Sequence, residues 1–210
     1  AEESLRAGEF RGWGFWDYLG GDVTGATVGI LGMGRIGQAF ARRARAFGTR
    51  LQYHSRTRLP RAIEEELEVE WVDWEALLTT SDILSLHVSF SEPLRHLLNR
   101  EALMRMKPGA YLINTARGAL IDEAALVEAL QSGHLGGAGL DVYEREPAIH
   151  PGLLECPNAV LLPHIGSATP KTRTAMAVLA ARNVAAVLGG SPPLTPVMPG
   201  AGNPNAEIRS

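Results

Sequence analysis

Three charged side chains stand just past three short apolar runs. Arg117 follows "AYLINTA", Glu146 lies in the loop after "GAGLDVY", and His164 follows "NAVLLP". Together these residue types can run a carbonyl–alcohol redox reaction. Arginine fixes a carboxylate and polarises the neighbouring carbonyl, histidine supplies the proton, and glutamate orients the imidazole. Asp141, at the end of "GAGLD", belongs to the same edge. Singly, each has a plainer reading. An arginine after a strand is commonly a surface charge, and Glu146 beside Arg145 makes a solvated pair. A lone histidine, His87 in "LSLHVSF" included, is commonly structural. Their joint placement beside a nucleotide-type motif is what favours chemistry.

That motif is Gly32-Met33-Gly34-Arg35-Ile36-Gly37, a G-x-G-x-x-G between the apolar run "TVGIL" (27–31) and a helical pattern. In this context it reads as a dinucleotide-binding turn, a ligand-free close-packed turn being the alternative. Gly32 permits the tight turn, Gly34 lets a pyrophosphate approach the backbone, and Gly37 lets helix and strand pack closely. The helix N-terminus offers unpaired N–H groups to the phosphates. An Asp or Glu is expected about 20 residues further on, at the adenosine ribose. Instead "YHSRTR" supplies Ser55, Arg56, Thr57 and Arg58, and the next acid is Glu64. Guanidinium groups suit a 2′-phosphate and hydroxyls add donors. The pattern predicts NADP(H) in preference to NAD(H), with a merely solvated basic loop as the alternative.

Short β-rich runs alternate with helical ones. Strands are expected at 27–31, "LQYH", "DILSLHV", "AYLINTA", "GAGLDVY" and "NAVLLP". Ile36, Ala39, Phe40, Ala44 and Phe47 recur at helical spacing, closed by Gly48. Further helices follow at "RAIEEEL", "DWEALLTT" capped by Asp73, "NREALMRM" capped by Asn99, and "DEAALVEALQSG" capped by Asp122, with a long one from Pro170 to Leu188. Alternation of this kind means an α/β fold, a Rossmann-type doubly wound parallel sheet with helices on both faces. In such a sheet ligands bind beyond the carboxyl ends of the strands, where Arg117, Asp141, Glu146 and His164 all fall.

With 210 residues, 45% of them hydrophobic, the chain can bury one large core. A net charge of -3 argues against a nucleic-acid surface. The single cysteine, Cys156, excludes an intrachain disulfide and suggests a reducing compartment. No apolar run reaches spanning length, and "AEESLRAGEF" is too polar for a signal peptide. A cytoplasmic protein is expected, with no membrane and no metal.

"GILGMGRIGQAFARRA", "MKPGAYLINTARGALIDEAALVEAL", "GAGLDVYEREP" and "LLPHIGSAT" resemble the D-2-hydroxyacid dehydrogenase family, and "YHSRTR" is similar to its glyoxylate/hydroxypyruvate reductase branch. The resemblance implies hydride transfer from NADPH to a small 2-keto acid. It makes Arg117 the carboxylate binder, Glu146 the partner of the histidine and His164 the acid–base. It implies cofactor contacts at Met33, Arg35, Ile36, His87, Val88, Thr115, Ala116, Arg117, Asp141, His164 and Gly166, with Asp141 beside the nicotinamide carboxamide. Residues 1–22 resemble a dimerisation arm, 23–168 a dinucleotide-binding domain, and 169–210 a helix and tail returning toward a substrate domain. Most of that substrate domain precedes this point in the family, so the chain is expected to be a fragment, a trimmed form or an incomplete gene product. Ser89 stands where the family usually has proline. Competing expectations are an NAD-dependent phosphoglycerate or D-lactate-type dehydrogenase, and a non-catalytic dimeric NAD(P)-binding module.

Overall fold

The computed structural model describes residues 2–196. At its centre is a parallel sheet of β1 (Thr27–Leu31), β2 (Arg50–His54), β3 (Val69–Trp71), β4 (Ile83–Leu86), β5 (Tyr111–Asn114), β6 (Gly137–Leu140) and β7 (Ala159–Leu161). The seven strands lie in the order β3-β2-β1-β4-β5-β6-β7. Every neighbouring pair is parallel, so all the carboxyl ends share one edge. The strand order reverses between β1 and β4, which opens the crevice that such sheets use for ligands. This is the Rossmann-type α/β sheet that the alternation predicts.

Helices α1 (Glu2–Arg6), α2 (Arg35–Ala44), α3 (Arg61–Leu67), α4 (Trp74–Thr80), α5 (Arg100–Arg105), α6 (Glu123–Gln131), α7 (Pro151–Leu154) and α8 (Pro170–Leu188) complete the order. Successive side chains of a strand point to opposite faces, and β1 shows the consequence. Val28 and Ile30 join one core with Ala41, Tyr53 and Leu67, under α2 and α3. Leu31 joins the other, with Leu84, Leu112, Leu126 and Leu153, under the later helices. The predicted caps form. Asp73 accepts from the Ala76 N–H at 2.7 Å, Asn99 from Ala102 at 3.0 Å, and Asp122 from both Ala124 and Ala125.

Three details depart from the sequence reading. β3 and α7, of three and four residues, lack enough periods of pattern to be read. The strand expected through Val88 stops at Leu86, because its neighbour β1 ends at Leu31. The first long helix tightens into a 3-10 turn at Arg45–Phe47 before Gly48 closes it in the left-handed region. Residues 2–22 contain one short helix and no strand, and their aromatic side chains are exposed, Trp13 by 83%. At the other end, α8 buries none of its residues, and Thr195 folds back to hydrogen-bond Asn183. Ala1 and the expected tail at 197–210 lie outside the described residues.

Two glycines of the first turn have opposite surroundings. A Cβ on Gly37 would sit 2.2 Å from the Gly32 carbonyl oxygen, whereas one on Gly34 would meet nothing within 4 Å. Gly37→Ala must therefore move α2 off β1. It is expected to cost about 1–3 kcal/mol, roughly 2–12 °C in melting temperature. Gly34→Ala should leave that temperature nearly unchanged. Thermal unfolding of the two variants checks the packing, and equal melting temperatures would contradict it.

Candidate functional site

The cleft begins at the turn after β1. Gly32 adopts φ 93°, and a Cβ there would lie 2.6 Å from Val88 Cγ1. Gly34 precedes α2 with no side-chain cap, and the first turn of α2 carries no acid. Protein contacts thus demand glycine at 32 and 37, while at 34 the missing side chain leaves open space at a helix N-terminus. That combination fits an incoming pyrophosphate. Met33 is buried, and Arg35 and Ile36 are exposed. Ile36 lines a cavity of about 370 Å³ with His87, Val88, Thr115, Ala116 and Arg117. The His87 ring packs on Phe40 at 4.9 Å, with Ser85 Oγ 3.0 Å from its Nε2. Burial lowers its pKa to about 4, so it is a neutral wall of the cleft near pH 7.

The end of β2 is more committed than its sequence suggests. Arg58 donates through Nε and Nη2 to the two oxygens of Glu64, at 2.8 and 2.9 Å. The buried Tyr53 hydroxyl donates to the same carboxylate at 2.7 Å and accepts from the Leu59 N–H. These bonds, that from Arg58 first, hold Glu64 below the usual carboxylate range. Burial, then Glu64, pushes Tyr53 up to about 12. Ser55 Oγ donates to the Thr57 carbonyl, which folds the intervening turn. Arg56 and Thr57 are exposed. The first acid after β2, Glu64, is thus buried and engaged by Arg58.

At the other strand ends the predicted trio separates into a pair and a neighbour. His164 Nδ1 lies 2.8 Å from Glu146 Oε2, across 18 residues of sequence. The hydrogen bond to His164 is the largest influence holding Glu146 below the usual carboxylate range. The Arg117 charge adds to it, so that guanidinium acts on the same carboxylate. Glu146 Oε1 accepts the Tyr143 N–H at 3.0 Å, which fixes the carboxylate from its other side. Both members remain reachable, with side chains 53% and 36% exposed for His164 and Glu146.

Each loop is built from strand-end side chains. Asn114, fully buried at the end of β5, accepts from the Ala116 N–H at 3.0 Å and donates to the Arg117 carbonyl at 2.9 Å. Asp141, buried after β6, accepts from the Ile165 and Gly166 N–H groups, each at 2.7 Å. Its carboxylate thus holds the loop of His164. The Tyr143 hydroxyl donates to the Leu162 carbonyl at 2.9 Å. Asn114, Tyr143, Glu64 and Tyr53 escape a reading by motif. A polar residue closing an apolar strand, as Asn114 does, is the one sequence signal that marks any of them.

The sequence model of the D-isomer specific 2-hydroxyacid dehydrogenase, NAD binding domain, matches residues 1–166. The chain is 48% identical over 197 residues to a glyoxylate reductase of Thermococcus litoralis, covering 92% of this chain and 59% of that protein. It is 46% identical over 181 residues to the 4-methyl-2-oxopentanoate reductase A of Aspergillus oryzae, covering 86% and 54%. Among solved structures, the NADPH-dependent glyoxylate/hydroxypyruvate reductase of Sinorhizobium meliloti in complex with citrate superposes with a TM-score of 0.81 at 42% identity, covering 94% and 61%. The chain thus spans little more than half the length of the relatives it matches. Among the described residues, no helix is long and apolar enough to cross a membrane.

The Glu146–His164 bond has a measurable signature. A depressed carboxylate contributes stability above its unfolded-state pKa and loses it as pH falls through the folded-state value. Carboxyl NMR is expected to place the Glu146 midpoint below 4.5, and His164→Ala should move it upward. A midpoint that ignores the substitution would contradict the bond.

Proposed function

Since the chain belongs to the D-isomer specific 2-hydroxyacid dehydrogenase family, we propose that it is the cofactor-binding and catalytic part of an oxidoreductase. Its substrates would be glyoxylate- or hydroxypyruvate-type 2-keto acids, reduced to D-2-hydroxy acids with NADPH. The observation that carries the reading is the 2.8 Å pair of His164 and Glu146, held on the strand edge that also opens the glycine cleft. The glyoxylate reductases among its relatives support the same substrate class.

Gly32 to Gly37 and the start of α2 would hold the pyrophosphate, Ser55 to Arg58 the ribose end, and Thr115, Ala116, Asp141 and Gly166 the nicotinamide end. When bound, the cofactor supplies a hydride. The chain supplies the rest. Arg117 binds the substrate carboxylate and polarises the keto group. With Nδ1 turned to Glu146, the His164 ring offers Nε2 to the keto oxygen as proton donor. Glu146 fixes that ring orientation through Oε2 while its Oε1 stays on Tyr143.

The preference for NADPH rests on charge at the end of β2. The nearest acid, Glu64, is paired with Arg58, and Arg56 beside it is exposed. The Sinorhizobium meliloti neighbour described as NADPH-dependent supports this reading. We also propose a homodimer through residues 1–22. Exposed Trp13 and Trp16 have little to cover them within the chain, and an apolar hollow of about 630 Å³ lies beside Val23, Ile83 and Tyr111. Residues 23–168 are then the dinucleotide domain and 169–210 the return toward the substrate domain. One buried free cysteine fits the reducing cytoplasm.

The test is to mix glyoxylate and NADPH with the chain, alone and joined to the N-terminal segment of its relatives, and follow cofactor oxidation. The proposal expects glycolate to form, and no oxidation with either form would refute it. Arg56→Ala removes one charge-assisted contact worth about 1.5 kcal/mol. It should weaken NADPH binding about tenfold and scarcely touch NADH. Equal losses in a calorimetric titration, or an unmodified protein that prefers NADH, would overturn the cofactor assignment.

A further inference from the structure

Glu123 opens α6, where an acid ordinarily serves the helix from the surface. It favours the positive end of the helix dipole, and an exposed side chain does that as well as a buried one. Yet Glu123 is only 6% exposed. Burying a carboxylate is costly unless donors satisfy it, so its position needs a reason beyond the helix.

Its donor supplies one. Glu123 accepts the Glu144 backbone N–H at 2.7 Å. That N–H opens the loop that carries Glu146. The Glu144 carboxylate also lies 3.0 Å from His96 Nε2. The loop backbone is also pressed against the Arg117 turn, since a Cβ on Gly118 would fall 1.8 Å from the Tyr143 carbonyl carbon. From Glu144 the path to the site is short. The neighbouring Tyr143 N–H binds Glu146 Oε1 at 3.0 Å, and Glu146 Oε2 meets His164 at 2.8 Å.

We infer that Glu123 is a positioning residue for the catalytic pair: its buried carboxylate clamps the start of the 144–150 loop and thereby sets the Glu146–His164 geometry. The inference rests on the reading of that pair as the acid–base of the proposed reaction. Glu123 touches neither partner. Its effect passes through the backbone of Glu144. Burial pushes its carboxyl up, and the Glu144 N–H pulls it back, as a carboxylate used as an internal acceptor requires.

The experiment compares Glu123→Ala and Glu123→Gln with the parent. Imidazole NMR follows the downfield His164 Nδ1 proton held by Glu146, and amide exchange follows Glu144. Glu123→Ala is expected to lose the His164 signal and the protection of the Glu144 amide. Glu123→Gln, which keeps one acceptor oxygen, should retain part of each. In the active form, kcat should fall about tenfold to a hundredfold with an unchanged KM for the cofactor. An intact His164 signal in a folded Glu123→Ala protein would overturn the inference, even with a lowered melting temperature. Should Glu123→Ala fail to fold, a fully unperturbed His164 signal in Glu123→Gln would overturn it instead. A parent without turnover would refute the proposed reaction, and the NMR comparison would still decide the role of Glu123.

Discussion

The carboxylate of Asp141, buried just past β6, receives the N–H groups of Ile165 and Gly166 at 2.7 Å each. The site depends on this double hydrogen bond. It ties the loop after β7 to the strand whose own loop carries Glu146, so the histidine and its partner share one anchor. The same loop holds His164 at φ 54°, in the left-handed region. That conformation costs a non-glycine residue about 1–3 kcal/mol and persists only where surroundings over-determine it. Asp141 on one side, with the Tyr143 hydroxyl on Leu162 on the other, supplies that constraint.

The parallel sheet makes such an arrangement economical. Every strand delivers its carboxyl end to one edge, and the order reverses between β1 and β4. The glycine turn after β1, the Arg117 turn after β5, and the loops after β6 and β7 therefore converge without long excursions. Each is fixed by a short polar side chain at or just beyond a strand end, Asn114 for one and Asp141 for another. Precision at the edge comes from these buried acceptors, while the leucine-rich layers behind them keep the strands in register.

Local chemistry made much of this legible in the sequence. The caps at Asp73, Asn99 and Asp122 are decided within three residues, and the alternating strands show their period directly. The glycine turn and the strand-end positions of Arg117, Glu146 and His164 follow from the same local pattern. What stayed hidden is nonlocal. Nothing in "YHSRTR" shows that Arg58 is occupied by Glu64 and that Tyr53 joins them, because the contact depends on how α3 returns to β2. Glu123 reads as an ordinary first-turn acid until the loop 21 residues later is seen to fold onto it. Strands expected to run on to Val88 and Tyr143 stop where a neighbouring strand ends, a limit set by pairing rather than by propensity.

In the proposed reaction His164, oriented by Glu146, protonates a keto acid within a site whose cofactor cleft is independent of that ring. The most direct measurement is a single turnover of His164→Ala in the active form. NADPH is bound first and its affinity measured, then glyoxylate is added and the decay of the reduced nicotinamide is followed. The account predicts NADPH affinity close to that of the unmodified protein and a decay slowed by roughly a hundredfold or more, the scale of a lost general acid. A variant that oxidises NADPH at nearly the original rate would contradict it.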